Sequence, residues 1–197
     1  MITTKPHRKG FTLVEMLVVL AIIATLASIS YAIAQSVINR SKVQETKLRM
    51  LEIEEAINDF NEDHGRLPFA DNTYPSSEEA LFEGSFRPIL RGLLGLWQDS
   101  ANDGGENTTG KVYLTMPDAK GNKNGITYFK GERKSVRAVV DSWGKNFYIK
   151  IDYNLDSDLT QRRSEFGGEL IQGRNVIIIS DGPDGEPNTE DDIFSWK

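Results

Sequence analysis

A chain of 197 residues with 39% hydrophobic content has room for one ordinary soluble domain beside a membrane segment, and its net charge of −6 argues against binding a nucleic-acid phosphate backbone. It has no cysteine, which excludes a disulfide framework, a thiolate metal site, a thiol nucleophile and a lipid-modified cysteine. The acidic excess lies after residue 35, because the first 35 residues carry Lys5, Arg8 and Lys9 against the single acid Glu15.

Residues 1–10 form a short basic leader with Lys5, His7, Arg8 and Lys9 and no acid. The stretch Gly10-Phe11-Thr12-Leu13-Val14-Glu15 then runs into Met16 to Ala34, which contains no charged side chain. At ~1.5 Å per helical residue such a run is long enough to cross a bilayer core. Glu15 at its head is the anomaly, since an ionisable group in a span costs at least ~2.5 kcal/mol and normally faces a protein partner or a polar pathway. Two readings compete: a secretory signal peptide cut after Ala32-Ile33-Ala34, or a membrane helix that stays attached. A disposable apolar region gains nothing from a buried charge, which weighs against the first. The leader's charges favour a cytoplasmic N-terminus, but Arg40, Lys42, Lys47 and Arg49 flank the other end, so the positive-inside count does not decide orientation.

From Gln35 to Asp63 the composition turns charged, yet neither Pro nor Gly occurs until Gly65. Apolar residues recur at Val37, Leu48, Leu51, Ile53, Ala56, Ile57 and Phe60, a spacing that predicts one face of an amphipathic helix. Continuous with the span, it gives a helix from Phe11 to Asp63 about 80 Å long. Gly65 suits the left-handed position after the last turn, and Pro68 cannot continue the helix. Ser76-Ser77-Glu78-Glu79 predicts the start of a short helix, with Ser76 capping and Glu79 at the capping-box position. Ala80 to Trp97 reads as helical in parts, interrupted by Pro88 and Gly92. The period then changes: Lys111–Thr115, Gly125–Phe129, Arg137–Val140, Asn146–Tyr153 and Asn175–Ser180 are short Val-, Ile-, Tyr- and Phe-rich runs that predict strands. The predicted fold class is α+β: a long N-terminal helix, first transmembrane and then amphipathic, packed on a small antiparallel sheet. Its divisions are a leader (1–10), a spanning helix (11–35), an amphipathic continuation (36–63) and a globular remainder (64–197).

Ser180 to Asp192 holds six acidic side chains among thirteen residues, with two Gly and two Pro that enforce tight turns. Hard cations such as calcium take about six to eight oxygens, and irregular backbone frees carbonyls to supply some of them. The spacing does not match an EF-hand, so a calcium loop and a solvated acidic turn both stand at this point. The two histidines, His7 and His64, lie too far apart in the chain's organisation to build a site together, and no carboxylate pair is singled out. The expected role is non-enzymatic.

Gly10-Phe11-Thr12-Leu13-Val14-Glu15 after a basic leader resembles the prepilin processing signal of type IV pilins and of type II secretion pseudopilins. The resemblance implies cleavage between Gly10 and Phe11 by a membrane prepilin peptidase, N-methylation of Phe11, retention of the apolar helix, and a role for Glu15 in assembly. It continues at His64-Gly65-Arg66-Leu67-Pro68 and Tyr74-Pro75-Ser76-Ser77-Glu78-Glu79, which are similar to the segment after the long helix of the major pseudopilin. Asp141-Ser142-Trp143-Gly144-Lys145-Asn146-Phe147-Tyr148 resembles its Asp-Pro-Trp-Gly-Asn-x-Tyr motif, and Ser180–Trp196 resembles its terminal calcium loop. By that match Asp184, Asp191 and Asp192 give side-chain oxygens, and Asp181, Glu186 and Thr189 backbone carbonyls, to a structural Ca2+. Ser142 stands where the family has proline, Asp181 where an apolar residue is usual, and residues 81–140 and 151–174 are longer than the compact family domain. The implied function is a pseudopilin: a single-pass inner-membrane subunit, N-terminus cytoplasmic and head periplasmic, that forms a homo-oligomeric filament driving type II secretion. Its implied partners are the prepilin peptidase, the inner-membrane assembly platform, minor pseudopilins and the membrane, with no nucleic acid. The rival readings are a type IV pilin for adhesion, motility or DNA uptake, and a membrane-anchored calcium-binding domain that never polymerises. The missing cysteine pair weakens the pilin reading.

Overall fold

A computed structural model describes residues 10–68, 79–82, 87–96, 107, 109–132, 135–153, 158–160 and 170–197. The chain divides into two compact units, Met1–Arg40 and Ser41–Lys197. The first described element, α1, is a single helix from Leu13 to His64 that begins in the first unit and ends in the second. Its start is fixed by Thr12 and its end by Gly65, which adopts φ 65° and returns its N–H to the Asn61 carbonyl at 2.8 Å. The helix stops one residue later than expected and begins two residues later, at Leu13 rather than Phe11.

In the second unit, called the head, α1 buries Thr46, Met50, Ile53, Ala56, Ile57 and Phe60. Spacings of four, three, four and three from Thr46 through Met50, Ile53 and Ile57 to Phe60 draw one seam on the helix. Leu48 and Leu51, expected on that face, are instead 51% and 48% exposed. Leu48 and Ile57 are separated by roughly two and a half turns and so point to opposite sides. The predicted stripe had merged two faces.

The remaining elements follow in order: β1 (Glu79–Phe82), α2 (Arg87–Leu93), β2 (Gly125–Tyr128), β3 (Val136–Val140), β4 (Tyr148–Asp152), β5 (Asp158–Thr160), β6 (Leu170–Gln172), β7 (Val176–Ser180) and β8 (Ile193–Phe194). A four-stranded antiparallel sheet has the order β1-β4-β7-β8, and β2–β3 and β5–β6 are separate antiparallel pairs. The α+β architecture is therefore as expected, with local corrections. Glu79 opens a strand, its backbone opposite Asp152, rather than a capping box, and its expected partner Ser76 lies outside the described residues. Pairing with β4 overrides the local helix signal. Pro88 sits at the start of α2, where a missing N–H costs nothing, and does not interrupt it. Lys111–Thr115 joins no sheet: Tyr113 and Leu114 donate to the Leu93 carbonyl at 2.8 and 3.0 Å, closing the end of α2.

Every residue of β7 is buried, because the strand lies between β4 and β8 and both of its faces are covered. Val176 and Ile178 join the main core with Met50, Ile53, Phe60, Phe147, Ile149 and Ile151. Ile177 points the other way and packs with Leu159, Ile171 and Trp196. Thus the described part of the 151–174 insertion shields the outer face of the sheet. The 81–140 insertion extends the main core through Ile89, Leu90, Leu93, Leu114, Ile126, Val136 and Val139.

Candidate functional site

The first candidate site is the start of α1. The Thr12 N–H and hydroxyl donate to Glu15 Oε2 at 2.8 and 2.9 Å, while the Glu15 N–H donates to Thr12 Oγ1 at 3.2 Å. This is a reciprocal capping box of the Thr-x-x-Glu type, which satisfies two helix-end donors. Both bonds to the carboxylate fall on one oxygen, leaving Oε1 for another donor. Gly10 and Phe11 precede the helix, and Phe11 is 81% exposed. The capping role of Glu15 escaped the sequence reading, although Thr12 at three residues' distance was its signal.

From Gly10 to Arg40 every described side chain is exposed. Three hydroxyls in this stretch are satisfied within the helix: Thr25, Ser28 and Ser30 donate to the carbonyls of Ile22, Thr25 and Leu26 at 2.8, 2.8 and 2.9 Å. Among the described residues α1 is the one helix long and apolar enough to cross a membrane.

The second candidate site is the C-terminal loop together with the turn that anchors it. Asp141 is fully buried, and its Oδ1 accepts from the N–H groups of Trp143, Gly144 and Lys145 at 2.9, 2.8 and 2.9 Å. Its Oδ2 accepts from the Ser180 hydroxyl at 2.6 Å, and the Gly182 N–H reaches the same hydroxyl at 3.2 Å. Asp141 therefore ties the Trp-Gly turn to the first residues of the loop. Ser142, in the position where the resembled family has proline, faces α1: its hydroxyl lies 3.2 Å from Thr46 Oγ1, and its N–H donates to that oxygen at 3.4 Å.

Within the loop, oxygens of Asp184, Glu186 and Asp191 converge on one hydroxyl. Thr189 Oγ1 lies 2.6 Å from Asp191 Oδ1, 3.2 Å from the Glu186 carbonyl and 3.4 Å from Asp184 Oδ1. The hydroxyl of Thr189 and its bond to Asp191 come first among the influences holding that carboxyl below its ordinary range. Thr189 meets this group through its side chain, not through the expected carbonyl, which accepts from Asp192 N–H at 3.3 Å. Asp192 uses Oδ2 for the Asn188 N–H at 3.0 Å, and Asp181 is buried. The convergent set is therefore Asp184, Glu186, Thr189 and Asp191. No group of three or more His, Asp or Glu side chains among the described residues is gathered as a metal site. The turn is closed tightly at Gly182, whose φ is 64° and where a Cβ would lie 2.1 Å from the Asp191 carbonyl oxygen. Only glycine fits there.

Residues 5–31 match the prokaryotic N-terminal methylation motif family. That match, the long apolar helix and the α+β head support a type IV pilin-like protein of the prepilin type. The motif implies processing by a prepilin peptidase and pilus-type assembly, and with the apolar helix it fits membrane anchoring. No curated protein and no solved structure matches the chain.

Proposed function

We propose that the chain is a structural pseudopilin subunit, anchored in the inner membrane with its head in the periplasm, which polymerises through α1 into a short filament that drives type II secretion. The observation that carries this reading is the exposure of all described side chains from Gly10 to Arg40 on a helix whose N-terminal end holds one carboxylate. So much apolar surface needs lipid before assembly and neighbouring helices after it. Cleavage after Gly10 creates an α-amine at Phe11, and Glu15 of an adjacent subunit is its partner in a low-dielectric core. A buried charge is tolerable when paired, and loss of one partner leaves the other with the full desolvation cost.

Glu15→Ala is expected to leave the melting of the head unchanged while abolishing filaments and secretion, measured by electron microscopy of sheared cells and by export in a complemented deletion strain. Loss of twitching or DNA uptake with secretion intact would transfer the chain to the type IV pili. A monomer in membranes with Glu15→Ala harmless would favour the non-polymerising anchored domain.

The C-terminal loop is proposed to hold a structural Ca2+ through Asp184 and Asp191, with Thr189 and the Glu186 carbonyl completing the oxygen set. What supports this is that four oxygens crowd together with only the Thr189 hydroxyl proton and the Glu186 N–H, which reaches Asp184 Oδ1 at 2.9 Å, donated to them. Calcium would supply positive charge to that cluster. Asp184→Ala is then expected to lower the melting temperature of the full chain in detergent as much as chelation does, by ~2–8 °C. Superimposable melts with calcium and with chelator would reject the site.

A further inference from the structure

The head half of α1 is divided by charge along its length. Residues 42–49 carry Lys42, Lys47 and Arg49 against Glu45, whereas residues 50–63 carry Glu52, Glu54, Glu55, Asp59, Glu62 and Asp63 and no Lys or Arg. The cations therefore gather at the end of the head where α1 enters from the apolar stretch, in a chain that is acidic as a whole. On the proposed topology they lie on the translocated flank, against the usual bias of Lys and Arg towards the cytoplasm.

A second element adds to this end. Lys120 and Lys123 exchange backbone hydrogen bonds at 3.1 and 3.2 Å and close a two-residue turn, in which Gly121 and Asn122 have φ 58° and 61°. Paired directly across the turn, the two lysines project from one face. The turn is held on α1 by Asn124, whose Oδ1 accepts from Arg49 Nε at 3.0 Å and whose amide donates to Glu45 Oε2 at 3.1 Å. It also rests on the Trp143–Lys145 turn, so closely that a Cβ on Gly144 would lie 2.8 Å from the Asn122 carbonyl oxygen. Lys42, three residues before Glu45, lies on the same row of α1 as Glu45 and Arg49, one turn nearer the apolar stretch.

Lys120 and Lys123 are exposed and Lys42 is half-buried, and none of the three ammonium groups makes a hydrogen bond or ion pair among the described residues. The acids nearby are engaged elsewhere: Glu45 accepts from Asn124, and Asp118 accepts from the Tyr128 hydroxyl at 2.9 Å. Like charges held together without counter-ions gain from a dense anionic surface. The surface that α1 brings within reach is a bilayer. About 20 residues from Met16 fill a ~30 Å hydrocarbon core, and Lys42 follows ~10 Å farther on, where a lysine stem reaches the phosphates. We infer that the Lys42–Lys120–Lys123 end of the head docks on the phosphates of anionic phospholipid headgroups while the subunit waits in the membrane. The contact grips the bilayer before assembly and is given up when the subunit leaves it for a filament. It rests on the reading of the chain as a membrane-anchored subunit and adds an ionic contact outside the spanning segment.

The full-length chain in lipid nanodiscs tests this through the rate at which a water-soluble acylating reagent modifies each lysine, read by mass spectrometry. Relative to phosphatidylcholine discs, discs containing phosphatidylglycerol are expected to slow Lys120 and Lys123 about fivefold and to leave Lys130, exposed beyond the other end of β2, within about 1.5-fold. Raising the salt to about 0.5 M should remove the difference. Lys120→Glu with Lys123→Glu should speed Lys42 in the anionic discs about threefold with head melting unchanged. Equal rates in the two kinds of disc overturn the contact and leave the anchored reading standing, as does a slowing that extends equally to Lys130. Slowing in phosphatidylcholine discs that grows with the number of copies per disc would assign the patch to a second copy, and slowing by inorganic phosphate alone would assign it to a free anion; either overturns lipid docking. A chain that carbonate washes off the membrane overturns both this contact and the anchored reading.

Discussion

From Gly10 to Arg40 no described side chain is buried, whereas from Thr46 to Phe60 the same helix sinks six residues into the head. Leu, Ile and Val dominate the first stretch on every side. In the second, Met50, Ile53, Ala56, Ile57 and Phe60 form one seam, and the exposed opposite face is acidic apart from Leu48 and Leu51. A helix apolar all round has to be enclosed by something other than its own chain, while one with a single seam needs only a sheet to lie on. One element thus carries two designs: the first half waits for lipid or neighbours, and the second is completed by β4 and β7.

The sharpest way to break that contrast is to truncate side chains on either face of the second half. Phe60→Ala removes a fully buried ring stacked on His64 at 4.3 Å and packed edgewise on Tyr113 at 5.2 Å, and should cost the head about 3–5 kcal/mol. Leu51→Ala, nine residues earlier and half-exposed, should change its stability by less than ~0.5 kcal/mol. Urea melts of the full chain in detergent measure both. Equal losses would mean that the stripe is covered within the monomer.

Asp141→Ala attacks the head at its polar anchor. Three backbone donors of half-buried or exposed residues and the buried Ser180 hydroxyl would lose their acceptor, a carboxylate that is itself fully buried. An orphaned buried donor costs ~1–3 kcal/mol, so a loss of about 3–4 kcal/mol is expected after relaxation, with Asp141→Asn recovering about half. Because Ser180 begins the C-terminal loop, the alanine variant should also expose that loop to protease before the rest of the head, as limited proteolysis with mass spectrometry would show.

These two sites also mark where sequence reasoning succeeds and where it stops. The length of α1 was legible because no Pro or Gly intervenes before Gly65, and β7 because four consecutive apolar residues are bounded by turn signals. The faces of α1 were not legible by spacing alone, since Leu48 and Leu51 satisfy the helical period as well as Ile57 and Phe60 do. Glu79 carried a local helix signal that pairing with β4 overrode. The loop's acids were visible as composition, but the gathering of Asp184, Glu186 and Asp191 about the Thr189 hydroxyl depends on a fold-back across seven residues. Asp141 is visible in the sequence through the motif it resembles, yet its bond to Ser180 joins residues thirty-nine apart, which no local pattern reports. Thr12–Glu15 carries an ordinary local pattern, Thr-x-x-Glu, and its capping chemistry coexists with the charge at the head of a span.

The smallest expected effect tests the boundary between the seam and the acidic face, where Glu54 sits half-buried. Its Oε1 accepts from Arg174 Nη1 at 2.6 Å, from the residue that leads into β7. Burial raises the Glu54 carboxyl above its ordinary 4.5, and Arg174 offsets part of that rise. A group whose folded value is raised holds its proton more tightly in the native state, so its stabilising contribution is complete below about pH 4.5 and is lost as the pH climbs through the raised value. Asp63 acts in the opposite sense: hydrogen bonds from Lys111 and Tyr113 lower it, so its contribution is present above about 3.8 and is lost on acidification through the lower folded value. Comparing Glu54→Gln with the unaltered chain from pH 4 to 7.5 cancels the Asp63 contribution and isolates Glu54. The variant should gain relative stability by about 1 kcal/mol or less as the pH rises over that window. Arg174→Ala should widen the window upward and lose more at pH 7 than at pH 4, because the carboxylate is then left in place without its cation. A difference curve that is flat, or that rises on acidification, would mean that Glu54 belongs to the solvated face, and the seam of α1 would then end at Ile53 and Ile57 without a polar border.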